Sequence, residues 1–135
     1  MDKITTDLIN TAMKNGYGVE ITHEMNPRTT ALTSYKHKKI IINSNYYLQK
    51  QIVFQFAHEV GHVLNGDASN NPLYYTPTKY KIEGAANRHA IDLLITYYFN
   101  NVPKEDANVV NFMESFEIPN RLSKMAIEEI AQFYD

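Results

Sequence analysis

Two histidines and a glutamate stand close together in the string His58-Glu59-Val60-Gly61-His62, which follows the pattern H-E-x-x-H. On a helix, residues four apart lie on the same side, so both imidazoles would point toward one spot. Two neutral imidazole nitrogens placed in this way can bind one Zn²⁺. Glu59 lies one position further round the helix, where its carboxylate can take a proton from a metal-activated water. The pattern therefore predicts a zinc site with Glu59 as its general base.

The sequence around this pattern predicts an amphipathic helix over residues 46–64. The two histidines lie on a polar face with Gln51 and Gln55, nearly opposite an apolar stripe. This stripe has the spacing of one helix face: Ile52, Phe56, Val60 and Leu64. Two surface histidines paired with nearby acids are the alternative interpretation. A helix with a core side and a separate histidine-bearing side favours the metal site.

A catalytic zinc site needs a third protein ligand and one open position. The chain has no cysteine, so the third ligand must be a histidine, an aspartate or a glutamate. The next predicted helix, residues 80–98, carries Glu83 in its first turn and Asn87 one turn later. The loop of residues 67–78 is long enough for this helix to fold back against the first. An exposed glutamate stabilised by the helix dipole is an equally good explanation of Glu83.

One helix and three short strands are predicted before the motif. Apolar residues at helical spacing cover Ile4–Lys14, and Asn15-Gly16 can end that helix. Alternating and β-branched residues predict the strands, with a basic hairpin tip at residues 36–39. The strands are Gly18–Met25, Thr30–Tyr35 and Ile40–Asn43. We expect them to form a small antiparallel three-stranded sheet.

Two shorter helices are predicted after the motif, at residues 104–115 and 120–133. The fold class is therefore α+β: an N-terminal helix, the small sheet, the H-E-x-x-H helix and further helices. No linker or internal repeat divides the chain, so residues 1–135 are predicted to form a single domain.

Composition and charge narrow the class of protein further. The chain has 135 residues, 44% of them hydrophobic and 21% charged, which is typical of a globular domain. Its net charge of -2 argues against a nucleic-acid or anionic-membrane surface. The sequence has neither a signal-peptide pattern nor a run of about 20 apolar residues. We therefore expect a cytoplasmic protein that binds neither nucleic acid nor membrane.

Two stretches of the sequence resemble the ImmA/IrrE metallopeptidases. The string Phe56–Leu64 (FAHEVGHVL) is similar to their F-x-x-A-H-E-x-G-H-x-L helix. The string Glu83–Leu94 (EGAANRHAIDLL) is similar to their E-x-x-A-N-x-F-A-x-x-L-L helix. The strand Ile40–Asn43 also fits the family. The resemblance covers about residues 17–98, and the tail over residues 109–130 matches more loosely.

The resemblance implies a minimal zincin-like metallopeptidase fold of the gluzincin type. It makes Glu83 the third zinc ligand beside His58 and His62. It also implies a selective cytoplasmic endopeptidase, often one that cleaves a helix-turn-helix repressor of a prophage or mobile element, with Glu59 activating the water. In thermolysin-like sites, the residue four positions after the ligand glutamate hydrogen-bonds a ligand histidine. Asn87 occupies that position, where a plain helix-surface asparagine is the alternative.

Several points stay open at the level of sequence. His89 stands where the family has Phe. Apolar residues share its helix face, which favours a core histidine with its hydrogen bonds made over a hydrogen-bond donor at the metal site. Candidates for oxyanion stabilisation are His23, His37 and the loop residues Tyr74 and Tyr75, for each of which an ordinary structural or solvated role is the alternative.

The mode of substrate binding, the metal and the function each have alternatives. An edge strand around Ile40–Asn43 could hold an extended substrate. A His₂Glu site also accepts Mn²⁺. The alternative functions are a non-cleaving binding module on the same fold, such as an antirepressor or toxin–antitoxin component, and a zinc hydrolase for small amides.

Overall fold

The computed structural model describes residues 2–66 and 77–135, and the side chains of residues 77–80 are not described. The described residues confirm the α+β class, with helices flanking one small sheet. In chain order the elements are α1 (Lys3–Lys14), β1 (Gly18–Thr22), β2 (Leu32–Ser34), β3 (Lys39–Asn43), α2 (Ile52–Leu64), α3 (Pro77–Tyr98), α4 (Val109–Ser115) and α5 (Ser123–Tyr134). Short 3₁₀ turns at Gln49–Gln51, Lys104–Asp106 and Asn120–Leu122 occupy parts of the predicted helical stretches. Most of the predicted loop, residues 67–76, lies outside the described residues.

The sheet is mixed, so the predicted all-antiparallel arrangement is wrong. The strand order is β1-β3-β2, with β3 parallel to β1 and antiparallel to β2. The β2–β3 hairpin is as expected. Residues 23–31, however, cross from β1 to the far side of the sheet, and β3 then fills the position between β1 and β2. Alternation of side chains shows which face of a strand is buried but not which strand lies beside it, so it cannot reveal the strand order.

The strand order also moves the free edge of the sheet. Because β3 lies in the centre, β1 pairs along one of its edges over Lys39–Asn43 and β2 along the other over Lys39–Ile41, so this strand is not a free edge of the sheet. The prediction that places strand addition there is wrong. In the part of the chain that the structure describes, β1 and β2 each pair only with β3, so the outer edge of β2 is one of two candidates instead.

The segment that leads into β2 is held by two buried polar side chains. The Asn43 amide nitrogen donates to the carbonyls of Asn26 and Thr29, each at 2.8 Å. The backbone N–H of Ala31 donates to the Gln55 side-chain oxygen at 2.8 Å. Such bonds satisfy backbone groups that burial would otherwise leave unpaired. They fix β2 relative to both β3 and α2.

The core lies where α2 and α3 pack against each other, against α1 and beneath the sheet. The predicted stripe of α2 contributes Phe56 and Val60, both almost fully buried. Small residues line the contact between α2 and α3, which allows the two backbones to approach closely: Ala57, Gly61, Ala86 and Ala90. Helix α5 is joined to α3 by an ion pair between Arg88 and the buried Glu129, with 3.0 Å between Nη1 and Oε2. Across the described ranges, no helix has the length and apolarity to span a bilayer.

Candidate metal centre

His58 and His62 lie one turn apart on α2, on the side that faces α3. Their Nε2 atoms are 3.1 Å apart, and their rings are nearly perpendicular, at 83°. Both side chains are largely buried, with 15% and 8% exposure. The four-residue spacing on a regular helix produces this convergence.

Glu83, in the N-terminal half of α3, completes a three-residue cluster. Its Oε2 atom is 2.9 Å from Nε2 of His58, and its Oε1 atom is 3.1 Å from Nε2 of His62. Hydrogen bonding from His58 and then from His62 holds the pKa of Glu83 well below its usual range. Its side chain is 43% exposed, the largest exposed fraction of the three.

The chemistry of these three donors fits a divalent metal ion. Two imidazole nitrogens cannot face each other at 3.1 Å as two bare lone pairs; a proton or a cation must lie between them. A cation bound by both nitrogens and by the carboxylate satisfies all three groups at once. Ligands of a tetrahedral zinc ion are separated by about 3.3 Å, close to the separations in this cluster. His58, His62 and Glu83 form a group that could hold a metal ion.

Asn87 lies behind His58, one turn after Glu83. Its side-chain oxygen is 2.7 Å from Nδ1 of His58, and the asparagine is buried. An amide oxygen only accepts hydrogen bonds, so Nδ1 of His58 carries the proton. With a cation in place of the proton that Nε2 shares with Glu83, the neutral imidazole would present its Nε2 lone pair to that cation. This contact has the geometry expected of a residue that orients a metal ligand.

Glu59 lies beside the cluster rather than in it. Its Oε2 atom is 3.9 Å from Nε2 of His58, and its side chain is only 13% exposed. Its Oε1 atom accepts a hydrogen bond from the Thr33 hydroxyl at 2.7 Å. Burial raises the pKa of Glu59, although the Thr33 hydrogen bond and the nearby histidines oppose the rise. A carboxylate with raised proton affinity next to a metal site is suited to general-base chemistry.

His89 is half-buried between α2 and α3, close to the metal-site turn. A β-carbon on Gly61 would lie only 3.2 Å from Nδ1 of His89, and the backbone of Ala57 interacts with the same ring. The Nδ1 atom is buried and has no hydrogen-bond partner among the described residues. Burial lowers the pKa of His89. This histidine is therefore an interhelical packing residue, but its hydrogen bonding is less complete than the sequence interpretation of a satisfied core histidine requires.

The other candidates are not brought to the cluster by the described contacts. The ring of His23 pairs with the Ser44 hydroxyl at 2.8 Å, beyond the ends of β1 and β3. His37 is exposed in the hairpin turn. Tyr74 and Tyr75 lie outside the described residues.

Thr33 also lies at this site, although no motif in the sequence points to it. Its cross-strand partner is Ile40, which is fully buried, so Thr33 lies on the core-facing side of the edge strand. A polar residue at an inward-facing strand position is a weak signal, because threonine is common in strands. Its contact with Glu59 depends on how β2 packs against α2, which the sequence pattern does not give.

Comparison with known proteins identifies the family. Residues 15–119 match the family model Peptidase_M78, the IrrE N-terminal-like domain. The match covers well over half of the chain, so the protein belongs to this family, as the resemblance implies. The match ends before α5 begins at Ser123. Searches of curated proteins and of solved structures gave no match.

Proposed function

We propose that this member of the IrrE N-terminal-like family is a zinc-dependent endopeptidase formed by one domain. The observation that carries the proposal is the convergence of His58, His62 and Glu83, with the buried Glu59 beside them. Membership of a peptidase family supports a protein substrate. We further propose that this substrate is a helix-turn-helix repressor of a prophage or mobile element, cleaved in the cytoplasm where such repressors act.

Each residue of the site has a distinct role in this proposal. His58, His62 and Glu83 would hold the zinc ion, and Asn87 would keep the His58 ring in the orientation and tautomer that binding requires. When bound, zinc polarises the scissile carbonyl and makes a water molecule more acidic. Glu59 accepts a proton from that water and passes it to the leaving amine. Its Oε1 atom is occupied by Thr33, so Oε2 is the oxygen available for this proton.

The outer edge of β2 supports a binding mode for the substrate. An extended peptide can pair with a free strand edge through backbone hydrogen bonds. Thr33, the central residue of β2, is hydrogen-bonded to Glu59, so a peptide on this edge would lie next to the proposed base. A flexible linker between repressor domains has the extended conformation that this mode requires.

A Glu59→Gln variant tests the proposal most simply. The amide keeps the size of the side chain but cannot accept the proton. Purified zinc-loaded protein is incubated with a panel of helix-turn-helix repressors, and the fragments are identified by mass spectrometry. We expect wild type to cut one repressor at a defined bond, and Glu59→Gln to retain zinc but lose cleavage by at least about a hundredfold.

The exposed Glu114, on α4, provides the matched control as Glu114→Gln, which should cleave like wild type. Equal cleavage by Glu59→Gln and wild type would refute the proposed mechanism. Inactivation of the repressor that survives Glu59→Gln without any cut would instead identify a non-cleaving binding module.

A further inference from the structure

The hydrogen bond between Thr33 and Glu59 links the edge of the sheet to the proposed catalytic base. The two residues are 26 positions apart in the chain, and 2.7 Å separates the Thr33 hydroxyl oxygen from Oε1 of Glu59. An ionised carboxylate can only accept, so the threonine hydroxyl is the donor. A hydrogen bond to an ionised acceptor is stronger than one between neutral groups.

This bond determines how the Glu59 carboxylate is oriented. Oε1 faces the strand, which leaves Oε2 as the oxygen on the side of the metal ligands, 3.9 Å from Nε2 of His58. The terminal torsion of a glutamate side chain is intrinsically broad, with no deep rotamer wells. Without a donor on one oxygen, the carboxylate could turn away from the metal ligands. Thr33 removes that freedom.

The strand that carries Thr33 is itself fixed to the helix that carries Glu59. Two residues before Thr33, the N–H of Ala31 donates to Gln55 on α2 at 2.8 Å. The Gln55 amide nitrogen then donates to the Gln51 side-chain oxygen at 2.9 Å, and the Gln51 amide nitrogen donates to the Glu117 carbonyl at 2.9 Å. This chain of bonds crosses from the edge strand to the turn after α4. The hydroxyl of Thr33 is therefore held at a defined point relative to α2.

We propose that Thr33 is a positioning residue for Glu59: the strand whose free edge would receive the substrate also orients the general base. The inference deepens the proposed function and rests on it. It predicts that the Thr33 hydroxyl matters for Glu59 and not for zinc binding, because no ligand atom of the cluster contacts Thr33 in the described contacts.

Two substitutions separate the hydroxyl from the shape of the side chain. Thr33→Val has nearly the same volume and an equal preference for strands, so β2 is retained while the donor is lost. Thr33→Ser keeps the donor and loses only a methyl group. The probe is acetohydroxamate, which chelates zinc through its two oxygens and shares its proton with an adjacent carboxylate. Its affinity therefore reports the placement of Glu59 without a peptide substrate.

Zinc-loaded wild type, Thr33→Val, Thr33→Ser and Glu59→Gln are titrated with acetohydroxamate by calorimetry, and the zinc Kd of each is measured by chelator competition. We expect Thr33→Val to weaken hydroxamate binding about tenfold, the effect of one lost hydrogen bond to a charged group. Its zinc Kd should match that of wild type, its thermal unfolding midpoint should stay well above the temperature of the titration, and Thr33→Ser should restore hydroxamate binding.

The outcomes distinguish the positioning role of Thr33 from the proposed peptidase function. If Thr33→Val binds acetohydroxamate as tightly as wild type while Glu59→Gln binds it weakly, Thr33 does not position the base and the inference is overturned. The same conclusion follows if Thr33→Ser fails to restore binding. If wild type binds the probe no better than Glu59→Gln, Glu59 does not face the metal, and the proposed function fails together with the inference.

Discussion

The Nδ1 atom of His58 on α2 lies 2.7 Å from the side-chain oxygen of Asn87 on α3. Asn87 comes one turn after Glu83, which meets the other nitrogen of the same imidazole at 2.9 Å. Helix α3 therefore holds the His58 ring from both sides. A single helix supplies a candidate ligand and the residue that orients another ligand, and the four-residue spacing between them makes both contacts possible.

Replacement of Asn87 should weaken zinc binding without removing a ligand. Asn87→Ala leaves Nδ1 of His58 without its acceptor, so we expect the zinc Kd to rise about 10- to 100-fold. Asn87→Asp keeps an acceptor and should bind zinc at least as tightly as wild type. Chelator competition measures both, with the exposed Asn111→Ala as control. Equal zinc Kd values for Asn87→Ala and wild type would show that the contact does not support the site.

The two glycines at 61 and 84 offer a matched comparison within α2 and α3. A methyl group on Gly61 would lie 3.2 Å from Nδ1 of His89 and 3.3 Å from the Ala86 backbone, whereas one on Gly84 meets nothing within 4 Å. Both substitutions gain about 0.5–1 kcal/mol from the helix preference of alanine. The difference between the free energies of unfolding of the two variants therefore reports the contact between the helices. We expect Gly61→Ala to be less stable than Gly84→Ala by about 1–3 kcal/mol in urea unfolding, and equal stabilities would contradict the close approach.

Gln55 should contribute to stability through the buried N–H of Ala31. Gln55→Met preserves most of the side-chain volume but leaves that N–H without its acceptor. An unsatisfied buried donor costs about 1–3 kcal/mol, so the free energy of unfolding should fall by that amount. The exposed Gln132→Met, on α5, is the control and should stay within about 0.5 kcal/mol of wild type. A loss no larger than that of the control would mean that β2 does not depend on this bond.

The acidic pair at the α3–α5 contact should make stability depend on pH. Burial, a hydrogen bond with Glu129 and the charge of Glu129 raise the pKa of Asp92 from 3.8 to about 7, against the opposing charge of Arg88. The native state then keeps a proton that the unfolded chain has lost, so this contribution to stability falls as pH rises from about 4 to about 7. The side chain of Asn does not titrate, so Asp92→Asn lacks this pH-dependent contribution to stability.

The free energy of unfolding of Asp92→Asn, relative to wild type, should therefore increase between pH 4 and pH 7 and stay constant above. Residue 92 as a whole is exposed, so solvent screening limits the size of the effect and its direction is the prediction. Urea unfolding at several pH values measures it, with the exposed Asp106→Asn as control. A difference that does not change with pH would refute the raised pKa.

Local spacing made the convergence of His58 and His62 predictable, whereas long-range pairing hid other parts of the candidate site. The rise and turn of a helix fix how His58 and His62 converge, and the same geometry sets Asn87 one turn beyond Glu83. The contact between Glu83 and the histidines depends on how two helices pack. Spacing alone did not distinguish a ligand from an exposed glutamate at position 83, and the family resemblance favoured the ligand. Membership of the family is confirmed by the match over residues 15–119.

The sheet shows where sequence patterns stop being informative. Alternation located all three strands within a few residues, but which strand lies beside β1 depends on the path of residues 23–31. The error placed the free edge on Ile40–Asn43 and concealed the contact between Thr33 and Glu59. That contact spans 26 positions and joins the edge strand β2 to α2.

We propose above all that His58, His62 and Glu83 together hold one zinc ion. Elemental analysis of purified protein, wild type beside Glu83→Ala and the exposed control Glu114→Ala, tests it most directly. We predict about one zinc per chain in wild type and in Glu114→Ala, and little or none in Glu83→Ala, because two imidazoles alone bind zinc weakly. Wild-type protein that retains no zinc after loading and removal of excess, or Glu83→Ala protein that retains as much as wild type, would contradict the account.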